Sequence, residues 1–307
     1  LPANPRLIVP VGGPFLLPRL VVQTILVGML IPFAKYHALG NDFLVVEMNA
    51  VESLPELSAV ALHLCERSTG VGADGILFVT EQSDSLDVEL YNADGSWAEK
   101  SGNGLRIIGV HWHLKDRSVR RFSVHMNKVA SVVEILSGKE HEFDVRASLG
   151  QPTFVAADVP VTTDLFYWIN EPLAIGGVEL PITCLAVGNP HVVLFVDSFD
   201  LDWPQIGADI ESHEAFPNGT NVEFVRVVER NLIEVADWER GVGVTTSSGT
   251  GAAAAVCASV MNGFVDRSCD VQFEVGVMHI DWSETTNEIL LSGPVVAVAT
   301  GQAFIPC

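Results

Sequence analysis

The chain has 307 residues, 48% of them hydrophobic and 18% charged, which supplies apolar side chain for two cores of domain size and rules out a disordered chain. Its 38 acidic and 17 basic residues leave a formal charge of −21, a field that repels phosphate backbones and anionic lipid, so neither nucleic acid nor a membrane surface is an expected partner. Five cysteines (Cys65, Cys184, Cys257, Cys269, Cys307), odd in number and without a Cys-x-x-Cys spacing, imply no disulfide framework and no zinc knuckle, and point to a reducing, cytoplasmic setting.

In chain order, Leu1-Pro2-Ala3-Asn4-Pro5 gives no export signal, and the most hydrophobic stretch, residues 20–33, has 14 residues where a membrane span needs about 20. The first methionine is Met29, so residues 1–30 are expected to be an upstream extension outside the fold. Short alternating or β-branched runs between glycine turns then predict strands at 31–36, 43–47, 76–80 and 86–91, with a helix at 56–66 among them. The spacing of Leu105, Ile108 and Trp112 suits one face of a helix opening at Gly104, and strands follow at 121–126 and 130–136.

The second half repeats this order, with strands at 182–187, 191–196, 221–228 and 232–236 and helices at 202–213 and 251–261. Sparse helices among many strands make the fold class α+β. The expected division is residues 31–147 plus 293–307 as one domain and 148–292 as the other.

Ser101-Gly102-Asn103-Gly104 opens the helix of the first half, and Ser248-Gly249-Thr250-Gly251 opens a helix 147 residues later. Each places a small hydroxyl before glycines that leave backbone N–H groups bare at a helix N-terminus, so two such ends facing each other would grip a carboxylate from both sides. Taken singly, each motif is a serine N-cap, and Asn41 and Asn103 beside glycine are turn formers. Glu239-Arg240 alone is a solvated pair, His191 on a strand is a core histidine before it is a catalyst, and His111-Trp112-His113 lacks a third metal ligand.

Tyr36-His37-Ala38-Leu39-Gly40-Asn41-Asp42-Phe43, Gly70-Val71-Gly72-Ala73-Asp74-Gly75, Asn92-Ala93-Asp94-Gly95-Ser96, the two serine motifs, Gly188-Asn189-Pro190-His191 and Glu239-Arg240-Gly241 together resemble the diaminopimelate epimerase family in order and spacing over residues 31 to about 300. The resemblance implies two pseudo-symmetric domains, each a curved mixed sheet around a central helix, with the active site in the cleft between them. It implies inversion at the α-carbon of a small amino-acid substrate without cofactor or metal, one thiol per domain serving as base and acid. Carried over, Asn41, Asn92, Asn189 and Asn221 would hydrogen-bond the substrate and Glu239 and Arg240 would read its distal amino-acid end. Gly102, Asn103, Gly249 and Thr250 would present the anion-binding backbone, and a homodimer is compatible with the family.

Both positions where the family carries its catalytic cysteines hold serine here, Ser101 and Ser248. A thiol with pKa near ~8.5 has a usable anionic fraction at neutral pH, whereas an alkanol has none unless a neighbour takes its proton. Lys100 precedes Ser101 where the family has an uncharged residue, and reads either as a solvated lysine at a helix start or, if desolvated, as a base. Val244 and Glu274-Val275-Gly276 depart from the family pattern as well. Two functional readings follow: a cofactor-independent epimerase of the lysine-biosynthesis type with impaired or altered proton transfer, extending to a proton-shift isomerase or dehydratase using another base, or an amino-acid-binding homologue that has lost the chemistry.

Overall fold

A computed structural model describes residues 29–52, 54 and 56–305. Of the extension expected at residues 1–30, residues 1–28 lie outside the described residues, while Met29 and Leu30 belong to the fold after all, opening the first strand opposite Ile305 and Phe304 because the last strand of the chain pairs with them. The first half runs β1 (Met29–Ala38), β2 (Asn41–Glu47), α1 (Leu57–Cys65), β3 (Gly75–Glu81), β4 (Ser85–Asn92), β5 (Trp97–Ala98), α2 (Gly102–Lys115), β6 (Arg121–Met126), β7 (Val129–Lys139) and β8 (Glu142–Gly150). The second runs β9 (Ile169–Ile175), β10 (Val178–Ala186), β11 (Pro190–Phe195), α3 (Trp203–Glu211), β12 (Asn221–Glu229), β13 (Leu232–Glu239), β14 (Gly243–Thr245), α4 (Gly249–Met261), β15 (Ser268–Phe273), β16 (Gly276–Trp282) and β17 (Ile289–Ile305).

The two halves repeat strand for strand. The antiparallel β1–β2, parallel β2–β3, antiparallel β3–β4, parallel β4–β6 and antiparallel β6–β7–β8 pairings recur as β10–β11, β11–β12, β12–β13, β13–β15 and β15–β16–β17. In the first half the ring closes, because β17 leaves β16, pairs with β8 through Val296 and then runs along β1 to Ile305. The second half stays nearly open: the edge of β10 away from β11 is flanked by β9 and, among the described residues, otherwise joined only by an isolated bridge from Thr153 to Ala186.

Each sheet wraps a helix, and that position dictates the helix's composition. Residues 102–110 of α2 and 249–259 of α4 are buried all round, so neither helix has the polar face of a surface helix. In α4 the run Ala252-Ala253-Ala254-Ala255 keeps side-chain bulk low where strands approach from several sides. The strands β8, β9, β15, β16 and β17, which the sequence reading left unassigned, complete these walls; β8 carries Phe143, Val145, Ala147 and Leu149 inward in strict alternation.

Candidate active site

The helices α2 and α4 meet at their N-termini. A methyl group built on Gly102 would lie 3.3 Å from the Gly249 Cα, and one built on Gly249 would lie 3.1 Å from the Gly102 Cα. Only glycine permits this approach, and it sets two bundles of unpaired backbone N–H groups side by side. Ser101 and Ser248, both in extended backbone, cap the two ends: Gly104 N–H donates to Ser101 Oγ at 3.0 Å and Gly251 N–H to Ser248 Oγ at 3.1 Å.

Each half also lends a hairpin tip to the other's helix end. The β1–β2 tip brings Gly40 to Thr246 and lets the Ser247 hydroxyl donate to the Leu39 carbonyl at 3.3 Å, just ahead of α4. The β10–β11 tip brings Gly188 against the side chain of Lys100, just ahead of α2. Both glycines have positive φ, 86° and 81°, the conformation their tight turns require. Asn41 and Asn189 follow these glycines at equivalent positions. Asn41 Nδ2 donates to Asp74 at 3.0 Å, and its Oδ1 accepts from Asn103 Nδ2 at 3.0 Å. Asn103 Oδ1 in turn accepts from Arg106, a fully buried guanidinium that also donates to the Pro294 carbonyl at 3.4 Å.

On the α4 side, Asn221 Nδ2 donates to the Pro190 carbonyl at 2.8 Å while its Oδ1 accepts the Arg240 backbone N–H at 3.0 Å, which ties the Arg240 turn to the β10–β11 tip. Glu239 accepts from Thr245 Oγ1 at 2.9 Å, and burial raises its carboxyl above the ordinary range. Thr250 is buried at the start of α4. Asn92, at the end of β4, donates to Ser96 Oγ at 3.0 Å within its own turn, so its hydrogen bonding does not join the others.

Three titratable groups here have no clear sequence signal. Lys100 is half-buried rather than solvated: its Nζ donates to the Leu149 carbonyl at 2.8 Å, and burial lowers its pKa to about 8. Glu223 and Asp237, 1% and 2% exposed, are directly opposed on the antiparallel β12–β13 pair and so share one face of the sheet. A methyl group on Gly251 would lie 3.0 Å from Asp237 Oδ1, 3.1 Å from Glu223 Oε1 and 3.0 Å from Ser248 Cβ, so both carboxyls and the serine converge on one bare Cα.

The proton positions in this cluster follow from burial. His191 is fully buried and its pKa is lowered by burial to about 3, so the ring is neutral, while burial raises Glu223 well above the carboxylate range. The consistent arrangement has protonated Glu223 donating to His191 Nδ1 at 2.6 Å and His191 Nε2 donating to Asn189 Oδ1 at 2.9 Å. His191 is thus a satisfied core histidine that orients Asn189. Asp237, raised first by burial and then by Glu223 and Glu239 and held down in part by the Ser248 backbone N–H, has neither oxygen in a well-formed hydrogen bond. Among the described residues no His, Cys, Asp and Glu side chains are grouped to hold a metal ion, and no helix is long and apolar enough to cross a membrane.

The family model for diaminopimelate epimerase matches residues 33–155 and 183–304, one segment in each repeat. The diaminopimelate epimerase of Nostoc punctiforme is 36% identical over 283 residues, covering 89% of this chain and 100% of that protein. That of Caldanaerobacter subterraneus subsp. tengcongensis is 39% identical over 278 residues, covering 89% and 99%. The crystal structure of a hydroxyproline epimerase from Agrobacterium vitis, with trans-4-hydroxy-L-proline bound, shares the fold with a TM-score of 0.66 at 12% identity, covering 91% of this chain and 92% of that one. A repeated sheet-wrapped helix, two touching N-termini and sequence likeness along nearly the whole described chain converge: the protein belongs to the diaminopimelate epimerase family of isomerases.

Proposed function

We propose that the protein interconverts LL- and meso-diaminopimelate, or a close relative with a second amino-acid end, by removing the α-proton on one face and returning one on the other. The observation that carries this reading is the contact of Gly102 with Gly249, which gathers two helix N-termini where a substrate α-carboxylate and its developing enolate charge would be stabilised. Ser101 and Ser248, one per half, occupy the flanking positions from which opposite faces of Cα would be addressed. Asn41, Asn189 and Asn221 are held by hydrogen bonds near these ends, and Glu239 and Arg240 suit a zwitterionic distal group.

A second reading, an amino-acid-binding protein without turnover, draws on one observation: both serine hydroxyls already accept a cap hydrogen bond, the role a purely structural serine plays. NMR of meso- and LL-diaminopimelate incubated with the protein in D2O separates the two. Loss of the α-proton signal is expected, accelerated at least about tenfold by Ser101→Cys with Ser248→Cys because a thiol ionises near neutrality. Ligand-dependent stabilisation without exchange in either protein would leave the binding reading.

A further inference from the structure

The two halves differ at one matched place, and the difference lies against Ser248. In the first half the cross-strand pair facing the capped helix end is Leu77 and Leu90, 0% and 2% exposed, with Leu77 Cδ2 3.2 Å from a methyl group built on Gly104. In the second half the corresponding strands place Glu223 opposite Asp237, at a similar distance from Gly251. The fold therefore accepts an apolar pair at this place. A carboxyl pair is retained there although burying unpartnered carboxyls opposes folding. Glu223 has a partner in His191 at Oε1 and none at Oε2, whereas Asp237 has none at either oxygen.

Resting on the epimerase reading above, we infer that Asp237 is the proton partner of Ser248, so that Ser248 and Asp237 together form the acid and base that a lone serine hydroxyl cannot be. When Ser248 protonates the substrate, its O–H bond breaks as the carbanion's electron pair forms the Cα–H bond. The Asp237 carboxyl proton passes to Ser248 Oγ and leaves Asp237 as carboxylate. In the reverse direction Ser248 Oγ takes the α-proton while its own proton returns to Asp237, and the C–H electron pair stays on the substrate. Asp237 acts through Ser248 and does not touch the substrate. The groups facing it are Glu223 on β12, Glu239 on its own strand and Ser248 ahead of α4, with His191 on β11 reached through Glu223. Its raised affinity for a proton, caused first by burial, favours the acid form that the protonating direction needs.

The test compares wild type, Asp237→Asn, Asp237→Leu (which copies Leu90), Ser248→Cys and the double variant Ser248→Cys/Asp237→Asn. Deuterium exchange at the α-carbon of meso-diaminopimelate is expected to fall at least about 30-fold in both Asp237 variants and to lose its pH dependence on Asp237, while the thermal midpoint holds or rises. In the Ser248→Cys background, Asp237→Asn should cost less than about threefold, because a thiol, even with its midpoint moved, reaches a usable anionic fraction without a partner to take its proton. Alkylation by iodoacetamide of the thiol introduced in Ser248→Cys, read against pH with wild type as background, should show a midpoint moved by about one unit by Asp237→Asn. Exchange within twofold of wild type with an unchanged pH profile, or an unmoved alkylation midpoint, overturns the pairing. If wild type exchanges no amino acid, the epimerase reading fails by itself, and the alkylation midpoint still decides whether positions 237 and 248 share a proton.

Discussion

Gly102 and Gly249 are each the first residue of a helix, where alanine would be the better helix former. Here the missing Cβ is what lets the two N-termini touch. Gly102→Ala places a methyl 3.0 Å from Leu291 Cδ2 and 3.3 Å from the Gly249 Cα; the leucine can rotate away, but the backbone cannot. The expected result is α-proton exchange reduced at least about tenfold, since a displacement well under 1 Å misplaces both anion-binding ends, despite the better helix former. Exchange equal to wild type in Gly102→Ala would show that the contact does not set the site. The serines, asparagines and glycines of this region were legible in the sequence because they form short motifs in a fixed order. Asp237 was not: as a charge at the end of Ile233-x-Val235-x-Asp237 it reads as the point where a strand leaves the core, and the predicted strand stops at 236, whereas β13 continues to Glu239 with Asp237 inward. Lys100 keeps two readings in the sequence for a related reason, because no local pattern tells a lysine bonded to a carbonyl 49 residues away from one in water.

At the scale of elements, α2 and α4 are filled to the limit by the strands around them. Gly109 in α2 faces the β7 and β8 wall, and an added methyl would lie 2.6 Å from Val133 Cγ1 and 3.3 Å from Val145 Cγ1. Gly109→Ala is therefore expected to destabilise by about 1–3 kcal/mol, overpacking outweighing helix propensity, with part of the loss recovered by adding Val133→Ala. Thermal denaturation of the two variants checks this; an unchanged midpoint in Gly109→Ala would mean that β7 yields without strain. The helices were readable from capping serine, glycine and apolar spacing. The late strands β15 to β17 lack so clear a signal, and β17 in particular, with Gly293, Pro294 and Gly301 inside a 17-residue run, carries turn-forming residues within what is a continuous strand. Its pairing with three different strands overrides those local preferences.

For the whole molecule, the buried acids set an uneven dependence of stability on pH. Glu223, Asp237 and Glu239 hold their protons more tightly folded than unfolded, so they favour the fold below the ordinary carboxyl range, and that contribution drains as pH rises through their raised values. Glu47 works in the opposite sense: bonded to His111 and Lys115, its pKa lies at about 2, so its contribution is present above the ordinary value and lost as pH falls toward 2. His191, buried neutral with a pKa of about 3, likewise costs stability as pH falls from about 6.5. Above that pH the raised acids and His279, whose pKa burial lowers but Asp270 and Asp281 together raise, make stability fall as pH rises, while Lys100, lowered by burial to about 8, opposes them from about pH 8 upward. The melting temperature is expected to decline from about pH 6.5 to about pH 7.5, less steeply in Asp237→Asn. A melting temperature rising over that range would contradict protonated buried carboxyls.

The path of β17 has a further consequence, for the order in which the molecule can be built. The ring around α2 lacks one of its staves until residues 289–305 arrive, because β1 and β8 are joined only through that strand. During synthesis the first repeat must wait, open along both edges, while the whole second repeat is made, a delay on the order of ten seconds at ribosomal rates. The half that is closed in the finished protein is thus the last to be finished, and the two repeats, alike in architecture, have opposite histories.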